Sequence, residues 1–340
     1  MITMKLARVH GPDDVRLDDL PAPAAGPDDV VVRVKACGIC GSDLGYIHNG
    51  GLAPGSVLTA PLPLGHEFAG VVESAGANVQ GVKPGQRVAV NPDDNYIGSG
   101  AEGSMGELIL IRNAKVGSSL YPLPDHVSED FAALAEPLSV ALHGINLTHV
   151  KAGDKVAVIG AGPIGLCAVA MLRHRGVQDI AILDREQSRL DRASALGAKA
   201  AIKVSGDGDM TEGLARAHGE HERFGMRNVG TDVFIDAAGA APALAEAMNI
   251  AKYKARFAII ALYKKPATLD LFKMMANEIM MVGSIADSRH AEFAEALDMI
   301  AEGKIDLSPM ISHRVAFSQF FDAIATASDP AKSAKVMLTF

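Results

Sequence analysis

Cysteine is scarce in this chain. Cys37, Cys40 and Cys167 are the only three among 340 residues, too few for a disulfide scaffold at this length. No second Cys-x-x-Cys accompanies Cys37 and Cys40, so a four-sulfur zinc site is excluded too. Long apolar runs are missing as well. The longest run without a charged or polar side chain, residues 156–172, is short for a membrane span and is broken by Gly160, Gly162, Pro163 and Gly165. The opening MITMKLARVHGPDD has no apolar leader region. A cytoplasmic chain with no membrane partner is therefore expected, and the Asn146-Leu147-Thr148 sequon is idle there. Positive charge is also short. The net charge is −8, which argues against a nucleic-acid partner, since phosphate backbones need clustered Lys and Arg. It does not exclude an anionic cofactor, because backbone amides at a helix start can hold phosphate.

What is present reads as two globular domains. Hydrophobic residues make up 49% and charged residues 21%, which is ordinary for a folded chain too long for one core. The first part is β-rich, with strands expected at 30–34, 68–72, 87–90 and 107–111 and Gly-Pro punctuation between them. After about Glu136 the rhythm changes. Strands at 155–159, 180–183, 231–235, 256–262 and 278–282 alternate with helices at 163–173, 186–196 and 242–249. Alternation of that kind implies βαβ units and a parallel sheet, so the fold class is α/β. From about Ile285 one helix (292–301) and a closing strand (335–338) are expected. No tandem repeat or low-complexity segment is visible.

Gly160-Ala161-Gly162-Pro163-Ile164-Gly165 directly follows the strand 155–159 and opens the helix 163–173. In that setting Gly160 makes a tight turn, Gly162 lets backbone approach a pyrophosphate, and Gly165 lets helix and strand pack closely. Pro163 and Ile164 start the helix, where proline loses no needed hydrogen bond. Asp184 ends the next strand and would accept hydrogen bonds from ribose hydroxyls. Its charge would repel a 2′-phosphate, so NAD is expected over NADP. Arg185 could soften that choice, and Arg189 is counted with the cofactor-binding residues. The bland reading is a Gly-rich turn with Asp184 as a helix cap.

Upstream stand residues with metal-ligand chemistry. A catalytic zinc needs three protein ligands and one open place. Cys40, His66 and a carboxylate at Glu67 or Glu136 would supply them, although spacing alone cannot join residues so far apart. Such a metal before a dinucleotide turn is the equipment for reversible hydride transfer from an alcohol. Other residues have plainer readings. Cys37 reads as a small buried hydrophobe and His143 as structural. The pairs Met274-Met275 and Met280-Met281 read as core or subunit interface. Asp13, Asp14, Asp18, Asp19, Asp28 and Asp29 read as solvated loop charges.

CGICGSD (37–43), PLPLGHEFAGVVESAG (61–76), VKPGQRVAVNP (82–92), ALAEPLSVALHG (133–144), VAVIGAGPIG (156–165) and SAKVMLTF (333–340) occur in order. Together they resemble the zinc-dependent medium-chain dehydrogenase/reductase family, in its sorbitol and L-idonate dehydrogenase branch. The resemblance implies a GroES-like catalytic domain (1–137 and 286–340) around a Rossmann NAD-binding domain (138–285). It implies one catalytic zinc per subunit, with Cys40 and His66 as ligands and Glu67 or Glu136 as the third. By position Ser42 would pass on the substrate proton, Asp43 would orient His66, and Tyr46 would line the substrate pocket. A homodimer or homotetramer joined through the Rossmann sheet edge is expected. The chain departs from the pattern in three places. Residues 91–103 hold no cysteine, so a structural zinc is not expected. Gly45 stands where a relay histidine is common, with His48 nearby. Gly283-Ser284 is followed by Ile285-Ala286-Asp287, with the arginine further on at Arg289. The implied activity is oxidation of a secondary alcohol, polyol or sugar acid by NAD. A threonine-type amino-alcohol dehydrogenase, or a non-catalytic crystallin-like nucleotide binder, are the alternatives.

Overall fold

The computed structural model describes residues 3–223, 225–285 and 289–340. They divide into two compact units. The first contains residues 3–136, 289–303 and 311–340; the second contains 137–285, apart from 224, and 304–310. The expected domain start at residue 286 and the Ala286-Asp287 departure lie outside the described residues.

The first unit is built on Val30–Gly38. Its β-branched residues favour an extended pleat, and it pairs with Glu67–Ala75 on one side and with Leu108–Ile111 and Lys335–Thr339 on the other. The full sheet runs Ile311–Ala316, Lys335–Thr339, Val30–Gly38, Glu67–Ala75, Arg87–Val90, Leu120–Pro122. Alternation sorts the side chains. Val30, Val32 and Val34 join Phe68, Leu120, Phe320 and Leu338 in the main core, whereas Val31 faces Met4, Leu6, Leu108 and Leu110. The pairing matters for chemistry. Gly38 lies opposite Glu67 in one ladder and opposite Met337 in the next, so the last strand of the chain runs beside the Cys-x-x-Cys segment.

Two expectations are corrected here. The early acids are not all loop charges, because Asp14–Pro21 is a strand antiparallel to Thr3–Gly11. Asp18 bonds Arg8 and His10, and Asp19 bonds Lys5. Acids that alternate with apolar residues are tolerated in a strand when the partner strand offers cations. Among the described residues the C-terminal part has two α-helices rather than the one expected: His290–Glu302 and Phe320–Ala327. The second is short, and its burial of Phe320 and Ala323 depends on a core formed by distant strands.

In the second unit all six strands of the sheet run parallel. The order is Ala200–Lys203, Asp179–Asp184, Lys155–Ile159, Val233–Asp236, Arg256–Ile259, Met280–Gly283. The first strand in sequence sits third across the sheet, and the chain winds outward from it in both directions, which is the doubly wound arrangement. The strand expected to reach residue 262 stops at Ile259. Beyond it the amides of Ile260 and Ala261 both turn to the Asp236 carbonyl and leave the ladder. A hairpin of Glu220–Arg223 and Met226–Val229 was not foreseen. Among the described residues no helix is long and apolar enough to cross a membrane.

Candidate metal and dinucleotide sites

Cys40 caps the helix Gly41–Asn49, and its amide donates to Asp43 Oδ2 at 2.8 Å. The other Asp43 oxygen accepts from the Gly65 amide at 3.1 Å. One buried carboxylate thus ties the Cys40 turn to the turn that carries His66. Gly65 has φ +91°, and a Cβ there would meet Met105 N at 2.7 Å, so the turn requires glycine. His66 Nδ1 lies 3.8 Å from Asp43 Oδ1, outside hydrogen-bonding distance but close enough for its charge to be felt.

Glu67 is fully buried and is met by an equally buried lysine, Lys335. Lys335 Nζ lies 2.6 Å from each carboxylate oxygen. It donates a hydrogen bond to Oε1 and another to the Ile39 carbonyl, whereas Oε2 is buried without a hydrogen bond. Ligand atoms of Cys40, His66 and Glu67 lie within 4.8 Å of one another. Glu136 stands outside that group. Its Oε1 is 2.9 Å from Arg289 Nη2, and the same guanidinium takes Asp93 Oδ1 at 2.6 Å.

The donor set fits a zinc ion. Sulfur, imidazole and carboxylate are zinc ligands, and three of them around one ion leave a place open. Glu67 Oε2 is buried and ion-paired with Lys335 but accepts no hydrogen bond, which leaves it lone-pair capacity for a metal. His66 gives the electrostatic counterpart. Burial lowers its pKa, but Asp43, Cys40 and Glu136 together raise it well above the ordinary value. The negative charge of these neighbours also favours a dication.

Ser42 and Tyr46 share this helix and are both partly exposed. Burial, then Asp43 and Cys40, raise the Tyr46 phenol, while a hydrogen bond with Ser42 acts the other way. His48 faces elsewhere: it is exposed and pairs with Asp13 at 3.3 Å. Cys37 is buried 3.3 Å from Ser104 Oγ, and burial pushes its thiol far above the usual range, as fits a small core residue.

In the second unit the Gly-rich turn has the strain its glycines imply. Gly160 has φ +95° and abuts Ala238. A Cβ on Gly165 would sit 1.8 Å from the Gly160 carbonyl. Gly162 caps the helix Pro163–His174, with Pro163 and Ile164 at its start. Arg189 Nη1 lies 3.6 Å from where a Gly162 Cβ would be, beside the loop, while Arg185 is exposed. Asp184 Oδ2 accepts from the Ala161 amide at 2.6 Å and Oδ1 from the Glu186 amide at 2.8 Å. A carboxylate has about four acceptor positions, so it can still take ribose hydroxyls.

Sequence reasoning missed Lys335, Asp93 and the Arg289 contacts. The signal for Lys335 was a cation at the head of an otherwise apolar closing strand. Asp93 and Arg289 gave none.

A three-donor centre fit for a catalytic metal and a dinucleotide turn, carried on one chain, define the class: a metal- and nicotinamide-dependent oxidoreductase. Comparison with known proteins makes this specific. Residues 26–125 match the alcohol dehydrogenase GroES-like domain, and residues 163–302 match the zinc-binding dehydrogenase domain. The chain is 32% identical to (R,R)-butanediol dehydrogenase of Neisseria gonorrhoeae, with 92% of each chain covered. It is 28% identical to human sorbitol dehydrogenase, over 94% of this chain and 91% of that one. A zinc-binding dehydrogenase of Sinorhizobium meliloti, solved bound to NADP, superposes with TM-score 0.85 at 28% identity over the full length of both chains. The chain belongs to the zinc-dependent medium-chain alcohol dehydrogenase family, and its activity is hydride transfer between an alcohol and a nicotinamide cofactor.

Proposed function

We propose that this chain oxidises a secondary alcohol within a diol, polyol or sugar acid, using NAD and one zinc per subunit held by Cys40, His66 and Glu67. The observation that carries this reading is the closure of those three donors to within 4.8 Å of one another, the carboxylate among them fully buried. Relatives acting on butanediol and sorbitol support the substrate class. Bound zinc supplies the positive charge that lowers an alcohol's pKa, and the nicotinamide accepts the hydride. The chain's residues do the rest. Asp43 fixes the two turns that carry Cys40 and His66. Ser42 takes the hydroxyl proton, and Tyr46 lines the pocket. Gly160, Gly162, Pro163, Ile164, Gly165 and Arg189 cradle the pyrophosphate, and Asp184 disfavours a 2′-phosphate.

On this reading residues 1–137 with 286–340 are the catalytic domain and 138–285 the cofactor domain, in a cytoplasmic enzyme. Subunits associate through the sheet edge Met280–Gly283, whose neighbours in sequence include exposed Leu271, Phe272, Met275 and Ile285. The test is NADH formation across diols, polyols, sugar acids, simple secondary alcohols and threonine, with zinc measured on the same sample. Turnover of a diol or polyol at about one zinc per subunit is expected. A preference for threonine, or a zinc-free active sample, overturns it. Ser42→Ala should lower kcat by about 10²- to 10⁴-fold at unchanged zinc content.

A further inference from the structure

Asp236 ends the strand Val233–Asp236 at the carboxyl edge of the parallel sheet, and it is buried. It ties down two loops. Oδ1 accepts from the Ala238 and Gly239 amides at 3.0 and 3.2 Å, and Oδ2 accepts from the Tyr263 hydroxyl. Its carbonyl takes the Ile260 and Ala261 amides, at 3.0 and 3.1 Å. The loops also approach closely. A Cβ on Gly239 would lie 2.6 Å from the Leu262 carbonyl oxygen, and one on Gly160 would lie 3.1 Å from the Ala238 amide nitrogen. The turn 237–239 thus abuts the dinucleotide turn with one residue and the loop 260–263 with the next. The Tyr263 ring packs on the core that Phe234 and Phe257 share, so the phenol is braced from behind. Burial, then the Asp236 carboxylate, push that phenol up, and it stays a donor at neutral pH.

A doubly wound sheet holds a dinucleotide across the carboxyl ends of its strands, one nucleotide over each half, with the pyrophosphate at the glycine-rich turn between them. Asp184 ends Asp179–Asp184, on the adenosine side of Lys155–Ile159. Val233–Asp236 and Arg256–Ile259 lie on the other side of that strand, so the loops after them serve the nicotinamide half. Hydride transfer needs the ring at a fixed distance and angle. A surface loop holds a ring still only if it is itself tied down.

We propose that the hydrogen bond from Tyr263 to Asp236 is a latch, made by two positioning residues, that keeps the turn 237–239 and the loop 260–263 in shape to receive the nicotinamide half of the cofactor. This role rests on the cofactor reading above, and it falls to residues outside the glycine motif and Asp184.

Calorimetric titration of the full chain with NADH and with ADP-ribose, which lacks the nicotinamide, separates this role from general support of the fold. Tyr263→Phe removes the hydroxyl and keeps the ring. It should weaken NADH about tenfold, the equivalent of one hydrogen bond to a charged group, and leave ADP-ribose unchanged. Asp236→Asn keeps an acceptor for the two amides and offers a donor to the phenol oxygen, so NADH should weaken by about threefold or less. Equal weakening of both ligands by Tyr263→Phe, or no change in NADH, overturns the proposal. So does a loss in Asp236→Asn as large as that in Tyr263→Phe, which would make the carboxylate's charge the cause rather than the tie. If the unmodified chain takes neither ligand, the cofactor reading fails and the latch with it.

Discussion

Gly38 shows how one missing side chain can set a site. It lies between the strands that carry Glu67 and Lys335. A Cβ on it would be 2.1 Å from Glu67 Oε2 and 3.2 Å from Lys335 Cδ. The buried ion pair reaches across Val30–Gly38 only because nothing projects there. Gly38→Ala should therefore separate the pair and weaken zinc binding at the proposed site. Lys335→Met, which strands a buried carboxylate, should cost about 3–5 kcal/mol. Urea midpoints and zinc content measure both; unchanged values for Gly38→Ala would show that the ion pair yields without consequence. His218 gives a pH prediction of the same local kind. Burial holds its imidazole at about 4, against an ordinary 6.5, with Nδ1 bonded to Thr231 Oγ1 at 2.8 Å. A histidine whose folded pKa is depressed contributes stability that is complete above 6.5 and is lost as pH falls toward 4. At about 1.4 kcal/mol per pKa unit the loss reaches about 3 kcal/mol near pH 4. Urea midpoints measured from pH 7 down to pH 4.5 should fall, and the slope should flatten in His218→Gln.

Among elements, the strand-turn-helix at 155–174 was legible because its rules are local. Apolar β-branched residues precede the turn, glycines stand where φ is positive or backbones touch, and proline opens the helix. The end of the neighbouring strand was legible for the same reason, since Asp184 falls at the end of Asp179–Asp184 and binds back to the turn. Asp184→Ser should loosen the Ala161 turn and relatively favour NADP. The ratio of kcat/KM values for the two cofactors reports this, and an unaltered ratio removes Asp184 from cofactor choice. Helices such as Gly41–Asn49, Asp209–His218 and Phe320–Ala327 were not read in advance, and the strand Asp14–Pro21 looked like loop. These elements are short or charged, and their apolar faces have meaning only against partners far off in sequence.

For the whole molecule, the exposed Leu271, Phe272 and Met275 on the helix that precedes the edge strand Met280–Gly283 give the quaternary prediction. If subunits associate as proposed, Leu271→Asp with Phe272→Asp should give a monomer by light scattering where the unmodified chain gives an oligomer, with the circular dichroism retained. Persistence of the oligomer would move the interface elsewhere. By itself the sequence determined which backbones bend and which residue types are offered to a metal and a dinucleotide, because glycine spacing, hydrophobic period and ligand chemistry are written within a few residues. Only the tertiary structure decided which carboxylate stays with which cation. Lys335 meets Glu67 across 268 positions and Arg289 meets Asp93 across 196, and such pairings exist only once strands from both ends of the chain share a sheet and a buried charge must find its counter-charge.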